Sequence, residues 1–203
     1  MPVTGCMGSF SGIRFTGEDW YARDMGGDRY EHCVFVDCDL TELRTAGTTF
    51  DHCEFRGVAL NASEHSISRF DNCLFQDSSL FGATLRTCKL TGSRFRGTAL
   101  RPLTVDGGDW SWVDLVGADL RGVNFDGVNL EETDLAGAQL EKASFRDARL
   151  TAATLAGASL EGATFTGADL SGVRLDGLGW RNTHIDQRLA EQIAESLGAI
   201  VES

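Results

Sequence analysis

Proline is nearly absent: Pro2 and Pro102 are the only two in 203 residues. That is too little for a collagen-like chain or a proline-rich linker. Basic residues are also scarce. Lys and Arg number 18 against 30 Asp and Glu, giving a formal net charge of −12. A chain this acidic repels phosphate backbones, so direct nucleic-acid binding is not expected. No apolar run is long enough to cross a membrane, so no membrane association is expected either. Met1-Pro2-Val3-Thr4-Gly5-Cys6 lacks a basic stretch followed by an apolar one, so no secretory leader is expected and the expected location is cytoplasmic. What the chain does have is 42% hydrophobic residues and 24 glycines. The length and composition suit one domain with a real core.

The apolar residues recur every five positions. From Phe10 to Ile185 the register has 36 positions, and only Thr45 and His65 among them are not apolar. Two residues before each central position the side chain is usually small, as at Cys33, Val58, Ala118 and Ala143. Two residues after it glycine recurs, as at Gly57, Gly97, Gly122 and Gly157. A period of five is neither the helical 3.6 nor the strand 2. It fits a chain that turns a corner once per unit. The small and large residues point inward, the polar residue between them points out, and glycine serves the corner.

Aromatic rows set the number of units per coil. Phe15, Phe35, Phe55, Phe75 and Phe95 are spaced by twenty, as are Phe125, Phe145 and Phe165, and Phe10, Tyr30, Phe50 and Phe70. Four units therefore close one coil, and like residues stack on successive coils. About nine coils are expected, a rod of roughly 43 Å at strand spacing. Glu18, Arg23 and Asp28 fall on inward positions, where burial without partners is costly, so a distorted or partly open first coil is expected. Thr45 and His65 read as milder defects, and Pro102 as an interruption on the rod's shoulder. After residue 187 the pattern changes. Asp186 is a candidate N-cap, Leu189, Ile193 and Leu197 recur at four-residue spacing, and Gly198 is a natural stop. The chain thus divides into a β-helix over 1–187 and a C-terminal helix and tail over 188–203. That helix is either a monomeric cap or part of a joint between two copies.

Catalytic and metal chemistry is weakly signalled. Five of six cysteines (Cys33, Cys38, Cys53, Cys73, Cys88; the sixth is Cys6) fall on the small inward position and read as core residues in a reducing compartment. The adjacent pairs His32-Cys33 and His52-Cys53 face opposite sides of an extended chain and cannot close on one ion. The glycines follow the period of five rather than a phosphate-cradling motif, and a rod filled with Phe and Leu leaves no substrate pocket. Neither an enzyme nor a cofactor is expected. What remains is the surface. Residues 1–100 carry a net charge of −3 and residues 101–203 a net of −9. The densest stretch holds Asp106, Asp109, Asp114, Asp119, Asp126, Glu131, Glu132 and Asp134, with Arg121 the only base inside it. These acids either keep the rod soluble or form a face for a basic partner. The row Glu31, Asp51, Asp71, flanked by Arg29, Arg69 and Lys89, reads as self-neutralised.

The repeat resembles the pentapeptide-repeat family, and that resemblance implies a right-handed quadrilateral β-helix. Ser63-Glu64-His65, Phe70-Asp71-Asn72-Cys73, Leu100-Arg101-Pro102-Leu103-Thr104, Asp119-Leu120-Arg121-Gly122 and Trp180-Arg181 resemble the mycobacterial fluoroquinolone-resistance (MfpA-type) branch and, more distantly, the plasmid-borne Qnr branch. Like the MfpA type, the chain has no projecting loops. Its N-terminal portion, around residues 20–40, is longer. The resemblance implies a cytoplasmic homodimer that mimics DNA, binds DNA gyrase, modulates supercoiling and protects against fluoroquinolone-type poisons. Leu178, Trp180, Ile185, Leu189, Ile193 and Leu197 would form its C-terminal joint. Such a dimer would be roughly 86 Å long. It would carry about half the charge of duplex DNA of that length. The other reading is a scaffold with no topoisomerase partner.

Overall fold

The central residues of every unit turn inward and build one continuous core, from the half-buried Phe10 and Phe15 to Leu175. The computed structural model describes residues 8–202. Met1 to Met7 and Ser203 lie outside the described residues, and with them Cys6 and the stretch on which the expectation of no leader rested. The architecture is a parallel β-solenoid. One row of pairings links Ser9, Arg29, Thr49, Arg69, Lys89, Asp109, Asn129, Arg149 and Asp169, each to the next. That row is nine residues deep at a step of twenty. Four such rows give four faces, named here by their first central residues: the Phe10, Phe15, Trp20 and Met25 faces. Strands are short, as at Ser9–Ser11, because each face is one unit wide. Thr84–Lys89 and Thr104–Asp109 run through a corner and join the Met25 and Phe10 faces into one sheet.

The aromatic rows stack as spaced. Phe15, Phe35, Phe55, Phe75 and Phe95 follow one another at 4.9, 4.9, 4.7 and 4.7 Å between ring centroids. Phe10, Tyr30, Phe50 and Phe70 stack at 4.8, 5.0 and 4.9 Å. In-register parallel pairing places each ring over its equivalent one coil on, a geometry that favours parallel, offset rings.

Corners come in two kinds, and the inward residues follow them. In the C-terminal half the corner is closed by a turn hydrogen bond, as from Ala118 N to Leu115 O and from Val123 N to Leu120 O. Gly122, at φ 70°, holds the left-handed position that a type II turn requires. Most corners of the Phe10, Phe15 and Met25 faces in the N-terminal half lack this bond, and Cys, Ser or Thr one coil on takes its place. Ser93 Oγ accepts from Cys73 N at 2.9 Å and donates to Phe70 O, bridging the pair that a closed turn would join directly. Ser78 does the same between Val58 N and Phe55 O, at 3.1 Å each. Cys33 and Cys53 donate to Phe10 O and Tyr30 O. These cysteines are therefore weak donors as well as small fillers. Replacing Ser93 with Ala leaves the buried Cys73 N–H without its partner. A loss of about 2 kcal/mol is expected in urea unfolding, and an unchanged midpoint would contradict the bridging role.

The first coil corrects one expectation. It is neither distorted nor opened. Ser9–Ser11, Arg14–Thr16 and Asp24–Gly26 all pair with the second coil. Glu18 and Arg23 are exposed, not buried, because no earlier coil covers their positions and the end of a solenoid is surface. The Arg23 guanidinium lies 5.1 Å from the Trp20 ring centroid, and the half-buried Asp28 accepts from Gly8 N at 2.7 Å. Pro102 does not interrupt the coil, since its carbonyl accepts from Gly82 N at 2.7 Å.

Thr45 and His65 form a satisfied buried network rather than a defect. Ser63 Oγ donates to Leu60 O at 2.7 Å, so His65 Nε2 donates to Ser63 Oγ at 2.9 Å. Nδ1 then accepts from Thr45 Oγ1 at 2.7 Å. Burial holds the His65 imidazole down at about 4. The unfolded chain binds this proton near pH 6.5 and the folded chain does not, so stability is full above pH 6.5 and falls toward pH 4. About 3 kcal/mol should be lost across that window. His65→Leu, matching Leu85 one coil on, should flatten the decline in denaturation midpoints. Equal slopes would contradict it.

The C-terminal end is closed by the helix Gln187–Ser196. Asp186 Oδ1 accepts from Leu189 N at 2.8 Å and Oδ2 from Gly167 N at 2.9 Å, and these bonds lower its pKa. At the other end Gly198 N donates to Glu195 O and Ala199 N to Ala194 O, a Schellman motif with Gly198 at φ 85°. Among the described residues no helix is long and apolar enough to cross a membrane.

Candidate functional site

The eight acids of residues 106–134 do not share one face. Asp109 and Glu131 lie on the Phe10 face, Asp114 and Asp134 on the Phe15 face, Asp119 on the Trp20 face, and Asp106 and Asp126 on the Met25 face. Glu132 stands on the corner between the first two faces. With outward positions recurring every five residues, a stretch this long necessarily winds around the rod. The expected single acidic face is thus a girdle with one dense sector. Five acids (Asp109, Asp114, Glu131, Glu132, Asp134) lie on the corner between the Phe10 and Phe15 faces or on the two faces beside it.

Three of the eight are neutralised locally. Asp114 pairs with Arg96 at 2.5 Å, Asp119 with Arg121 at 2.6 Å, and Glu131 with Arg149 at 3.4 Å. The Arg121 guanidinium, hydrogen-bonded to Asp119, holds that carboxyl down at about 2. Among the described residues the other five make no ion pair. Asp109 accepts from Ser111 N at 3.1 Å and Asn129 Nδ2 at 2.9 Å. Asp126 accepts from Arg146 N at 2.8 Å, and Asp134 from Ala136 N at 3.0 Å. Asp114 and Asp134 are ladder partners, a like-charged pair on adjacent coils. In the N-terminal acidic row Glu31 is paired with Arg29 and Asp71 with Arg69 at 2.5 Å, while Asp51 bonds the His52 ring at 2.8 Å.

One residue of the dense sector was not marked by charge. Trp112 stands on the same corner one coil before Glu132 and is 59% exposed. Its sequence signal was that it is the one large apolar residue in the column Gly12, His32, His52, Asn72, Gly92, Trp112, Glu132, Ala152, Gly172.

The rod's interior is filled, but its faces carry shallow open grooves. One of about 490 Å³ lies along the Met25 face between Arg44, Glu64 and Arg86. Another of about 480 Å³ lies on the Phe10 face between Arg29, Arg69 and Lys89. The expectation that the rod leaves no pocket is corrected at its surface by these two grooves. The inward cysteines are free and buried, and burial pushes the Cys88 thiol up to about 11. A thiol raised in this way is a poor nucleophile.

The six residues expected at a C-terminal joint separate. Leu189 is fully buried as the plug of the last coil, so it is not available to a second copy. Leu178, Trp180, Ile185 and Ile193 are half-buried against the core. Leu197 is 71% exposed and continues into the exposed Ile200 and Val201. The helix must first cover its own coil end, which consumes most of its apolar face.

The pentapeptide-repeats family profile matches the chain in eight copies over residues 111–151 and 143–177. The fold is the pentapeptide-repeat β-helix. The matched stretch is where corners are closed turns with Ala or Val inside. The unmatched N-terminal half has open corners with Cys, Ser and Thr. Two solved structures have a similar fold. Both are trypsin-treated variants of QnrB1, a plasmid-mediated fluoroquinolone resistance protein. One is 20% identical with a TM-score of 0.55, over 96% of this chain and 100% of that one. The other is 18% identical with a TM-score of 0.56, over 97% and 100%. No curated sequence matches the chain significantly.

Proposed function

We propose that this pentapeptide-repeat β-helix is a cytoplasmic DNA-mimicking protein. It binds DNA gyrase, modulates supercoiling and protects the enzyme from fluoroquinolone-type poisons. The observation that carries this reading is a nine-coil acidic rod whose charge is concentrated in one half, with five acids on or beside one corner. A basic DNA-binding surface would attract such a rod electrostatically, at about half the charge density of a duplex. The fold shared with QnrB1 and the sequence stretches resembling the MfpA type support it. Two copies would join at their C-terminal ends through Leu197, Ile200 and Val201, with the half-buried Trp180 and Ile193 behind them.

The test is supercoiling by purified gyrase with increasing protein, with and without a fluoroquinolone. Loss of supercoiling, or fewer drug-stabilised cleaved complexes, is the expected result. No effect at any concentration would remove gyrase as the partner. The scaffold reading is favoured by one observation, the local pairing of Asp114, Asp119 and Glu131. It would then call for capture of a different partner.

A further inference from the structure

The corner on or beside which these acids lie also carries an unusual side chain. Trp112 has φ 60°, in the left-handed region. Glycine enters that region freely and a bulky side chain is disfavoured there, although His32, His52 and Glu132 hold it on the same corner. Trp112 N is fixed by a bond to Glu131 O at 2.9 Å. The indole gains little packing in return, since 59% of the residue faces water. The same corner on the other coils carries Gly12, His32, His52, Asn72, Gly92, Glu132, Ala152 and Gly172, all at positive φ, so the fold accepts small and polar residues there and does not call for an exposed indole. Ile67, at φ 51° and 72% exposed, is the comparable outlier on another corner. Its neighbours Glu64, Arg69 and Arg86 are of mixed sign, so nothing there selects a partner.

The surroundings of Trp112 are net acidic. Glu132 follows on the same corner, with Glu131 and Asp134 beside it and Asp109 and Asp114 on the faces next to Trp112. Arg96 and Arg149 neutralise Asp114 and Glu131, which leaves Glu132, Asp134 and Asp109 without an ion pair among the described residues. An aromatic face ringed by carboxylates attracts a cation that can lie flat on it, and guanidinium does so better than ammonium. We propose that Trp112 and Glu132 form a docking point for an arginine side chain of a protein partner. The guanidinium stacks on the indole, and its N–H groups meet Glu132 and Asp134. This deepens the proposed function by naming the chemistry of the contact, and it rests on the same expectation of a basic partner.

The test separates the two. Titrate the full chain with hexa-arginine and with hexa-lysine, following fluorescence of the exposed indole and, independently, peptide anisotropy. Compare Trp112→Gly. Hexa-arginine is expected to bind about five-fold more tightly than hexa-lysine. In Trp112→Gly that preference should vanish while the unfolding midpoint stays the same or rises, because glycine relieves the left-handed strain. Equal binding of the two peptides, or a preference that survives in Trp112→Gly, would overturn the proposal. An arginine preference lost in Trp112→Gly, in a protein with no effect on gyrase, would keep this site and remove only that partner.

Discussion

Phe55→Ala should destabilise the rod by about 4 kcal/mol, a loss readable in urea unfolding. Phe55 is fully buried and stacks between Phe35 and Phe75 at 4.9 and 4.7 Å, with Phe50 edge-on at 5.5 Å. Removing a buried phenyl ring costs about 3–5 kcal/mol, and each lost stack adds to the area term. A solenoid has only neighbour contacts, so the cavity also weakens the coupling between the coils on either side. Hydrogen exchange should therefore show the first coils opening separately from the rest. Phe81→Ala is the contrast, since Phe81 is 58% exposed and its loss should change stability by under about 0.5 kcal/mol. A drop of less than about 1.5 kcal/mol for Phe55→Ala would mean that the stacked rows are not what holds the coils together.

Reversing Glu131, Glu132 and Asp134 to Lys should weaken gyrase binding by at least about ten-fold and flatten its salt dependence. These three lie on or beside the dense corner. A second variant, Asp106, Asp119 and Asp126 to Lys, changes the net charge equally on the other two faces. If attraction were diffuse, the two variants would lose affinity alike. If the corner is the contact, the first loses far more than the second, because rim charges away from an interface act mainly on encounter rates. Equal losses would contradict an interface at the corner, and unchanged binding in both would contradict an electrostatic contact.

Much of the fold was legible in the sequence because the period of five and the aromatic period of twenty are both consequences of coil geometry. Phe35 over Phe55 follows from spacing alone. The C-terminal helix was equally legible, from Asp186 to Gly198, because caps carry local chemistry. Hydrogen-bond detail was not. That Ser93 bridges Cys73 N and Phe70 O depends on which corners close, and no residue within that unit announces it. Glu18 and Arg23 were misread because the pattern marks an inward position without marking where the rod ends. The acids were misread as one face because linear density in a coil of twenty residues is spread over four sides. Trp112 was visible as the one large apolar residue in its corner column, but only its exposure gave that its meaning.

Displacement is the most direct check on DNA mimicry. Gyrase bound to a fluorescently labelled linear duplex, titrated with this protein, should release the duplex in a salt-sensitive manner, with the anisotropy falling to that of free DNA. A stable ternary complex, or a duplex still held at saturating protein, would contradict the account.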